Sequence, residues 1–405
     1  MADADGDQLH SLGVAALGEL TGDLLPFWHR LVDPQHGGHF ASMTNAGVVD
    51  PAGPKSTVFV ARILWTMSEA WRVLRSETSL AQAEHAKRFL LGSLRDRAEG
   101  GFFWTVRHDG TPLDTGKHVY AHAFAIYGLS AFAAATGDGE ARSEALETFA
   151  TLEARARRDL GYAEAFDRAW RPIDNQRLQS GGVVGARTMN THIHLVEALT
   201  PLVAIAEDGR PRAALEALHR LVLDRFIETE GCFAHSVLDE RLVPLGGPIS
   251  MGHDIETAWL LDASADALAD AALSAETRAA ARRLAQSAAA FGYCGERGFL
   301  TERSQDGLVD PWRVWWSQAE AVVGLVNEYQ RAGDRQALDQ AGMLWSYIER
   351  AILDRQGGEW FWRVDPDGRP DRSRRKVEPW KEPYHQARAC FELIRRSGVA
   401  PGFVV

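Results

Sequence analysis

The sequence predicts an all-α protein, an (α/α)6 barrel of about twelve helices with short β-arms in the connecting loops. Three observations carry that expectation. Long segments place apolar residues at i, i+3, i+4 and i+7, as one face of an α-helix requires. A glycine followed within two residues by an aromatic recurs at Gly38, Gly101, Gly161, Gly231, Gly298 and Gly358, a period of about 60–70 residues. Unusual polar or aromatic residues recur with a similar period near the start of every second helix.

Taken in order, the helical segments include TVFVARILWTMSEAWRVL, HAFAIYGLSAFAAAT, THIHLVEALTPLVAIA, IETAWLLDASADALADAAL and SQAEAVVGLVNEYQRAG. All are rich in Ala, Leu, Glu and Arg, strong helix formers. Each recurring glycine suits a left-handed cap or tight turn leading into a short extended arm. Several arms carry a further turn, at Asp109-Gly110, Asp306-Gly307 and Asp367-Gly368. Two helices per repeat over six repeats can close on themselves, with the second helix of each pair inside. No Pro-, Gly- or Ser-rich linker divides the chain, so residues 1–405 are expected to form one barrel domain.

Composition excludes some classes of partner. The formal net charge is -11, which argues against nucleic acid and against an acidic membrane surface. No apolar run is expected to span a membrane, and MADADGDQLH lacks a basic start before an apolar stretch. Three scattered cysteines, Cys232, Cys294 and Cys390, suggest a reduced, cytoplasmic setting rather than a disulfide framework. The Arg-rich DRSRRK stretch at 371–376 reads as a solvated loop. SGGVVGAR at 180–187 lacks a phosphate-loop context and reads as a flexible loop.

The recurring residues are Arg62, Tyr120, Asn190 with His194, His253 with Glu256, Trp316, and Trp380 with His385. In a closed ring, one such position per repeat converges on one mouth. Neutral imidazoles suit proton abstraction near neutral pH. Arg62 suits a developing oxyanion, with an interhelical ion pair as the lesser alternative. Glu256 lies three residues after His253, and Glu197 three after His194, close enough to orient each ring. Trp316 and Trp380 offer flat faces to sugar C–H groups, while Trp65, Trp71 and Trp259 read as core. His118/His122 and His192/His194 have metal-ligand spacing without an HExxH context, so no metal is expected. Glu256 and Asp254 are two apart on one helix and face different ways, a poor pair for glycoside hydrolysis. A non-catalytic sugar-binding protein is a further alternative, disfavoured by the full set of His, Arg and Trp.

The segments AGPKSTVFVARILWTMS, YAHAFAIYGLS, MNTHIHLVEA, GHDIETAWLL, WWSQAEAVVG, EWFW and PWKEPYHQARAC together resemble the N-acylglucosamine 2-epimerase superfamily, and within it the cellobiose 2-epimerases. The resemblance runs from about residue 36 to 396, in the same order. It implies an (α/α)6 barrel acting without cofactor on the reducing end of a mono- or disaccharide, as a monomer or homodimer. It further implies His253 and His385 as the acid/base pair at C2, and His194 as an aid to ring opening and proton movement between O1 and O2. Arg62 and Asn190 would hold substrate oxygens, Glu256 would support His253, and Tyr120, Trp316 and Trp380 would line the sugar subsites. Two departures, SGGVVGART at 180–188 and His122 where glutamine is common, are expected near the mouth. They leave open a monosaccharide mannose/glucose 2-epimerase or a mannose–fructose isomerase.

Overall fold

The computed structural model describes residues 2–175, 177–178 and 182–400. The helices are α1 (Ala2–Glu19), α2 (Leu25–His29), α3 (Thr57–Leu74), α4 (Glu77–Phe89), α5 (Val119–Thr136), α6 (Gly139–Arg155) and α7 (Met189–Ile205). They continue with α8 (Arg210–Leu221), α9 (Met251–Leu268), α10 (Ala271–Gly292), α11 (Trp315–Ala332), α12 (Arg335–Tyr347) and α13 (Tyr384–Ser397). Helices α3, α5, α7, α9, α11 and α13 pack each on the next, and α13 packs back on α3. This closed inner ring is wrapped by α1, α4, α6, α8, α10 and α12. The first helix, α1, packs against the last, α13, and so supplies the outer partner of that inner helix.

One sequence expectation needs correction. Helix α5 is long and apolar enough to cross a membrane. It is apolar all round because it is an inner helix, enclosed by α3, α6 and α7, and a helix buried on every side carries no polar stripe.

The β-arms close a second ring at the mouth. Each short strand that leads into an inner helix pairs antiparallel with the arm of the following repeat. Lys55–Ser56 meets Thr105–Val106, Lys117–His118 meets Ala165–Phe166, Arg187–Thr188 meets Val237–Leu238, and Arg313–Val314 meets Arg363–Val364. Single bridges, Ile249 to Arg303 and Met43 to Val377, complete the circuit. Four inner helices then start on side-chain caps, from Ser56, His118, Thr188 and Ser250.

The recurring glycine has a second purpose beyond its turn. The fourth residue of four inner helices bonds back to the backbone N–H beside it. His122 Nε2 accepts from Phe102 N at 2.9 Å and His192 Nε2 from Tyr162 N at 3.4 Å. Asp254 Oδ1 accepts from Ala234 N at 2.9 Å and Gln318 Oε1 from Phe299 N at 2.8 Å. A Cβ on Gly101, Gly161 or Gly298 would lie 2.4, 2.8 or 2.8 Å from His122, His192 or Gln318 respectively. All three glycines also have φ between 68° and 78°. The His122 and His192 spacings thus belong to a structural latch, and His122 is buried away from the mouth, contrary to expectation. Buried cations tie the same arms: Lys55 Nζ reaches Asp33 and the Gly37 carbonyl, both at 2.6 Å, and Lys117 Nζ reaches Asp96 at 2.9 Å.

Gly101→Ala is therefore expected to destabilise the protein by more than about 1 kcal/mol, through positive φ and the clash with His122. Urea unfolding measures this, and a stability equal to wild type would contradict the latch.

Candidate active site

At the mouth where the six inner helices begin, a cavity of about 300 Å³ is lined by Arg62, Tyr120, Asn190, His194, His253, Trp316, Trp380 and His385, with Arg177, Leu178, Trp315 and Trp362. Eight of the nine residues singled out in the sequence meet here. Glu256 does not: it is fully buried beneath.

The converging residues occupy two levels rather than one. Counted from each helix start, Tyr120, Asn190, Trp316 and His385 are second residues, and His253 is a third. Arg62, Phe124, His194, Glu256 and Glu320 are sixth residues, one turn deeper. Trp380 precedes α13 and is 38% exposed, a mouth residue rather than a helix residue. The single-register picture merged these levels because four residues bring a helix back to nearly the same face.

Each histidine has its own surroundings. His194 Nδ1 donates to Glu197 Oε2 at 2.8 Å, as the i, i+3 spacing predicts. Burial works to raise the Glu197 carboxyl. Arg388 and bonds from His194 and Tyr384 overcome this and hold it down at about 2. An ionised Glu197 fixes the proton of His194 on Nδ1 and leaves Nε2 as the free base. His385 Nδ1 bonds Glu320 Oε1 at 2.7 Å, across α13 and α11. Burial, then the cations Arg62 and Arg388, push His385 well below the usual histidine range. Burial lifts the Glu320 carboxyl to about 8, with Arg388 opposing and Glu256 assisting. A neutral Glu320 donates to Nδ1 and leaves the ring proton on Nε2. An ionised Glu320 accepts from Nδ1–H and leaves Nε2 a base. One proton move thus turns the pair from acid to base.

His253 lies against Trp316, ring centroids 4.7 Å apart. Burial pushes it down to about 4, against the pull of the Glu256 charge. Glu256 does not orient its ring as expected. Its Oε1 accepts from Arg388 Nη2 instead, since a full cation outcompetes a neutral imidazole for a carboxylate. Arg388 Nη1 bonds Glu197, and Arg388 Nη2 also lies 2.7 Å from Glu320. Glu256, Glu320 and His385 bring ligand-type atoms within 4.8 Å of one another. The Arg388 guanidinium already bonds both carboxylates, so this cluster is suited to a fixed cation and not to a metal.

Arg62 is an ion-pair partner and also faces the cavity. It lines the cavity, pairs with Glu382, and donates through Nη2 to the Tyr120 hydroxyl at 2.8 Å. Its guanidinium carbon lies 4.0 Å from the Phe124 ring centroid. Among the described residues, Asn190 Oδ1 is buried without a partner, an acceptor open to a donor entering the cavity. Six inner helices direct their N-termini, and hence their positive dipole ends, at this cavity. Of the core tryptophans, Trp65 and Trp259 are buried and Trp71 is half-buried. Ser180 and Gly181 of the 180–188 loop lie outside the described residues; Arg187–Thr188 is a paired strand.

The sequence reading missed Glu320, Glu382, Tyr384 and Arg388. The i, i+4 step from Tyr384 to Arg388 and the shared depth of Glu256 and Glu320 were the available signals.

A model of the N-acylglucosamine 2-epimerase family matches residues 38–389. The chain belongs to this family. It is 38% identical to a cellobiose 2-epimerase of Bacteroides fragilis over 93% of this chain and 97% of that protein. A solved cellobiose 2-epimerase of Spirochaeta thermophila superposes with a TM-score of 0.90 at 38% identity, covering 96% and 97% of the two chains. A D-mannose isomerase of Thermobifida fusca is 28% identical over 83% of this chain and 85% of that protein. These matches bear out the predicted (α/α)6 fold and family.

Two outcomes follow from the electrostatics. Arg388→Met leaves the buried Glu197 and Glu256 without their cation and is expected to cost about 3–5 kcal/mol at pH 7. The cost shrinks at pH 4–5, where the orphaned carboxyls take up protons; a urea series at both pH values measures it. His253 has a folded value below its unfolded one, so its contribution is complete above about pH 6.5. It is lost as pH falls through about 4. His253→Gln should flatten that acid limb of thermal stability.

Proposed function

We propose that this protein is a cofactor-free sugar 2-epimerase that interconverts glucose and mannose configuration at the reducing-end residue, in the manner of a cellobiose 2-epimerase. The observation that carries the reading is the pairing of two carboxylate-backed histidines with a third histidine and an arginine in one cavity. That set meets the needs of proton transfer at a carbon next to a carbonyl.

The open-chain aldose has an acidic C2–H beside its aldehyde. His385 or His253 takes that proton as base and a cis-enediolate forms. Arg62, kept cationic by Glu382, faces the developing oxyanion, and the six helix N-termini add positive potential. Asn190 Oδ1 accepts from a sugar hydroxyl. His194 Nε2, with its tautomer set by Glu197, carries the proton between O1 and O2 and assists ring opening. The histidine on the other face of C2 returns a proton and gives the epimer. Both rings lie close to Trp316, 4.7 Å (His253) and 5.7 Å (His385) from it between centroids. Glu320 acts as a positioning residue through His385.

The likeness to a D-mannose isomerase favours a second outcome of the same chemistry. Protonation of the enediolate at C1 instead of C2 gives the ketose. NMR product analysis on cellobiose, mannobiose, mannose, glucose and fructose separates the two.

In D2O, cellobiose or mannose should gain deuterium at C2. His385→Ala should slow that exchange by about 10²–10⁴-fold, and full exchange in the variant would remove His385 from the mechanism. Glu320→Gln should lower kcat far more than it changes KM and erase the activity step near pH 8. An unchanged pH profile would show Glu320 to be merely structural.

A further inference from the structure

The Arg-rich 371–376 loop reads as a solvated loop in the sequence, yet the fold sets it against the wall of the catalytic cavity. Arg374 places its guanidinium carbon 4.0 Å from the ring centroid of Trp362, and Trp362 lines that cavity. Among the described residues its Nε is buried without a hydrogen-bond partner. Arg375 donates to Ser42 Oγ at 2.8 Å and Arg372 to Asn45 Oδ1 at 3.4 Å, both neutral acceptors. Among the described residues, no carboxylate forms an ion pair with any of the three. This is unusual here, since Arg363, Arg369 and Lys376 around them all pair with aspartates.

The neighbouring acids are occupied. Asp371 binds Arg363 and Ser373, and Glu378 accepts from Trp362 Nε1 at 2.8 Å. Across the mouth, Arg177 also lines the cavity, held by Asp114 over the Trp104 ring. Glu302, beside the cavity, is pushed towards its neutral form by burial and then by Asp310. In a chain of net charge -11, Arg372, Arg374 and Arg375 thus stand beside the catalytic mouth without a carboxylate partner among the described residues. A field of one sign around a cleft attracts a ligand of the other.

We propose that the loop forms an anion subsite, so that the preferred substrate carries an acidic group on the residue beyond the reacting sugar. The reacting carbons belong between the level of His253 and His385 and the deeper level of His194 and Arg62. A group reaching Arg374 beside Trp362 belongs to the next residue outward. The recognised chemistry is a carboxylate or a phosphate ester, accepted by a guanidinium whose donors lack an internal acceptor. This proposal rests on the epimerase reading above.

The test measures C2 epimerisation of cellobiose, glucuronosyl-β-1,4-glucose and cellobiose phosphorylated at C6 of its non-reducing glucose. Wild type should prefer at least one acidic disaccharide over cellobiose by about tenfold in kcat/KM, through KM. That preference should fall with added salt. Arg374→Gln should abolish the preference and leave cellobiose kinetics and the melting temperature unchanged. The better of the two anions identifies the source. Equal kcat/KM for cellobiose and both acids in wild type would overturn the proposal. So would an Arg374→Gln variant that loses activity on all three alike, which would make Arg374 a support for Trp362 only. If none of the sugars epimerises, the epimerase reading fails instead, and tryptophan-fluorescence titration with the same sugars still decides whether the acids bind more tightly.

Discussion

Arg388 stands on α13 with three carboxylates around it, from α7, α9 and α11. An ion this deeply buried is tolerable only when its charge and donors are met. Glu197, Glu256 and Glu320 meet them, and two of these carboxylates carry a cavity histidine on their other side. One guanidinium thereby holds four inner helices in register and sets the ionisation of the groups that position His194 and His385. The same cation keeps Glu197 ionised and competes with burial at Glu320. The two histidines therefore face the cavity with different proton arrangements, although each is backed by a glutamate.

The ring makes such a cluster possible. Closure of α13 onto α3, repeated at the mouth by the circuit of short strands, fixes the distance between helices remote in sequence. Latches from His122, His192, Asp254 and Gln318 hold the arms against the inner helices. A cavity whose walls are rigid in this way presents its donors and helix N-termini already aimed, so no reorganisation is required when negative charge develops. Trp362 and Trp380 line the mouth of this frame, and Trp104 lies against Trp380.

Much of this was legible in the chain. The glycine period pointed to repeats, and the histidines, Arg62, Tyr120, Asn190 and the two tryptophans pointed to one mouth. The i, i+3 relation of His194 and Glu197 was read correctly because both atoms lie on one helix. The same relation misled for His253 and Glu256. Helical spacing states which groups come within reach, and a competing cation from another helix settles which bond forms. His122 shows the reverse case: its metal-like spacing from His118 belongs to a latch visible only once Gly101 is packed against its ring.

By itself the sequence determined the helices, their number, the recurring glycines and the set of side chains near the mouth, because periodicity, capping and turn chemistry are local. Only the tertiary structure decided the depth of each residue, the Arg388 cluster, the pairing of His385 with Glu320 and the placement of the 371–376 arginines beside the cavity. These depend on contacts between residues such as Arg62 and Glu382, or Glu197 and Arg388, that lie far apart along the chain. Ring closure alone brings them within hydrogen-bonding distance.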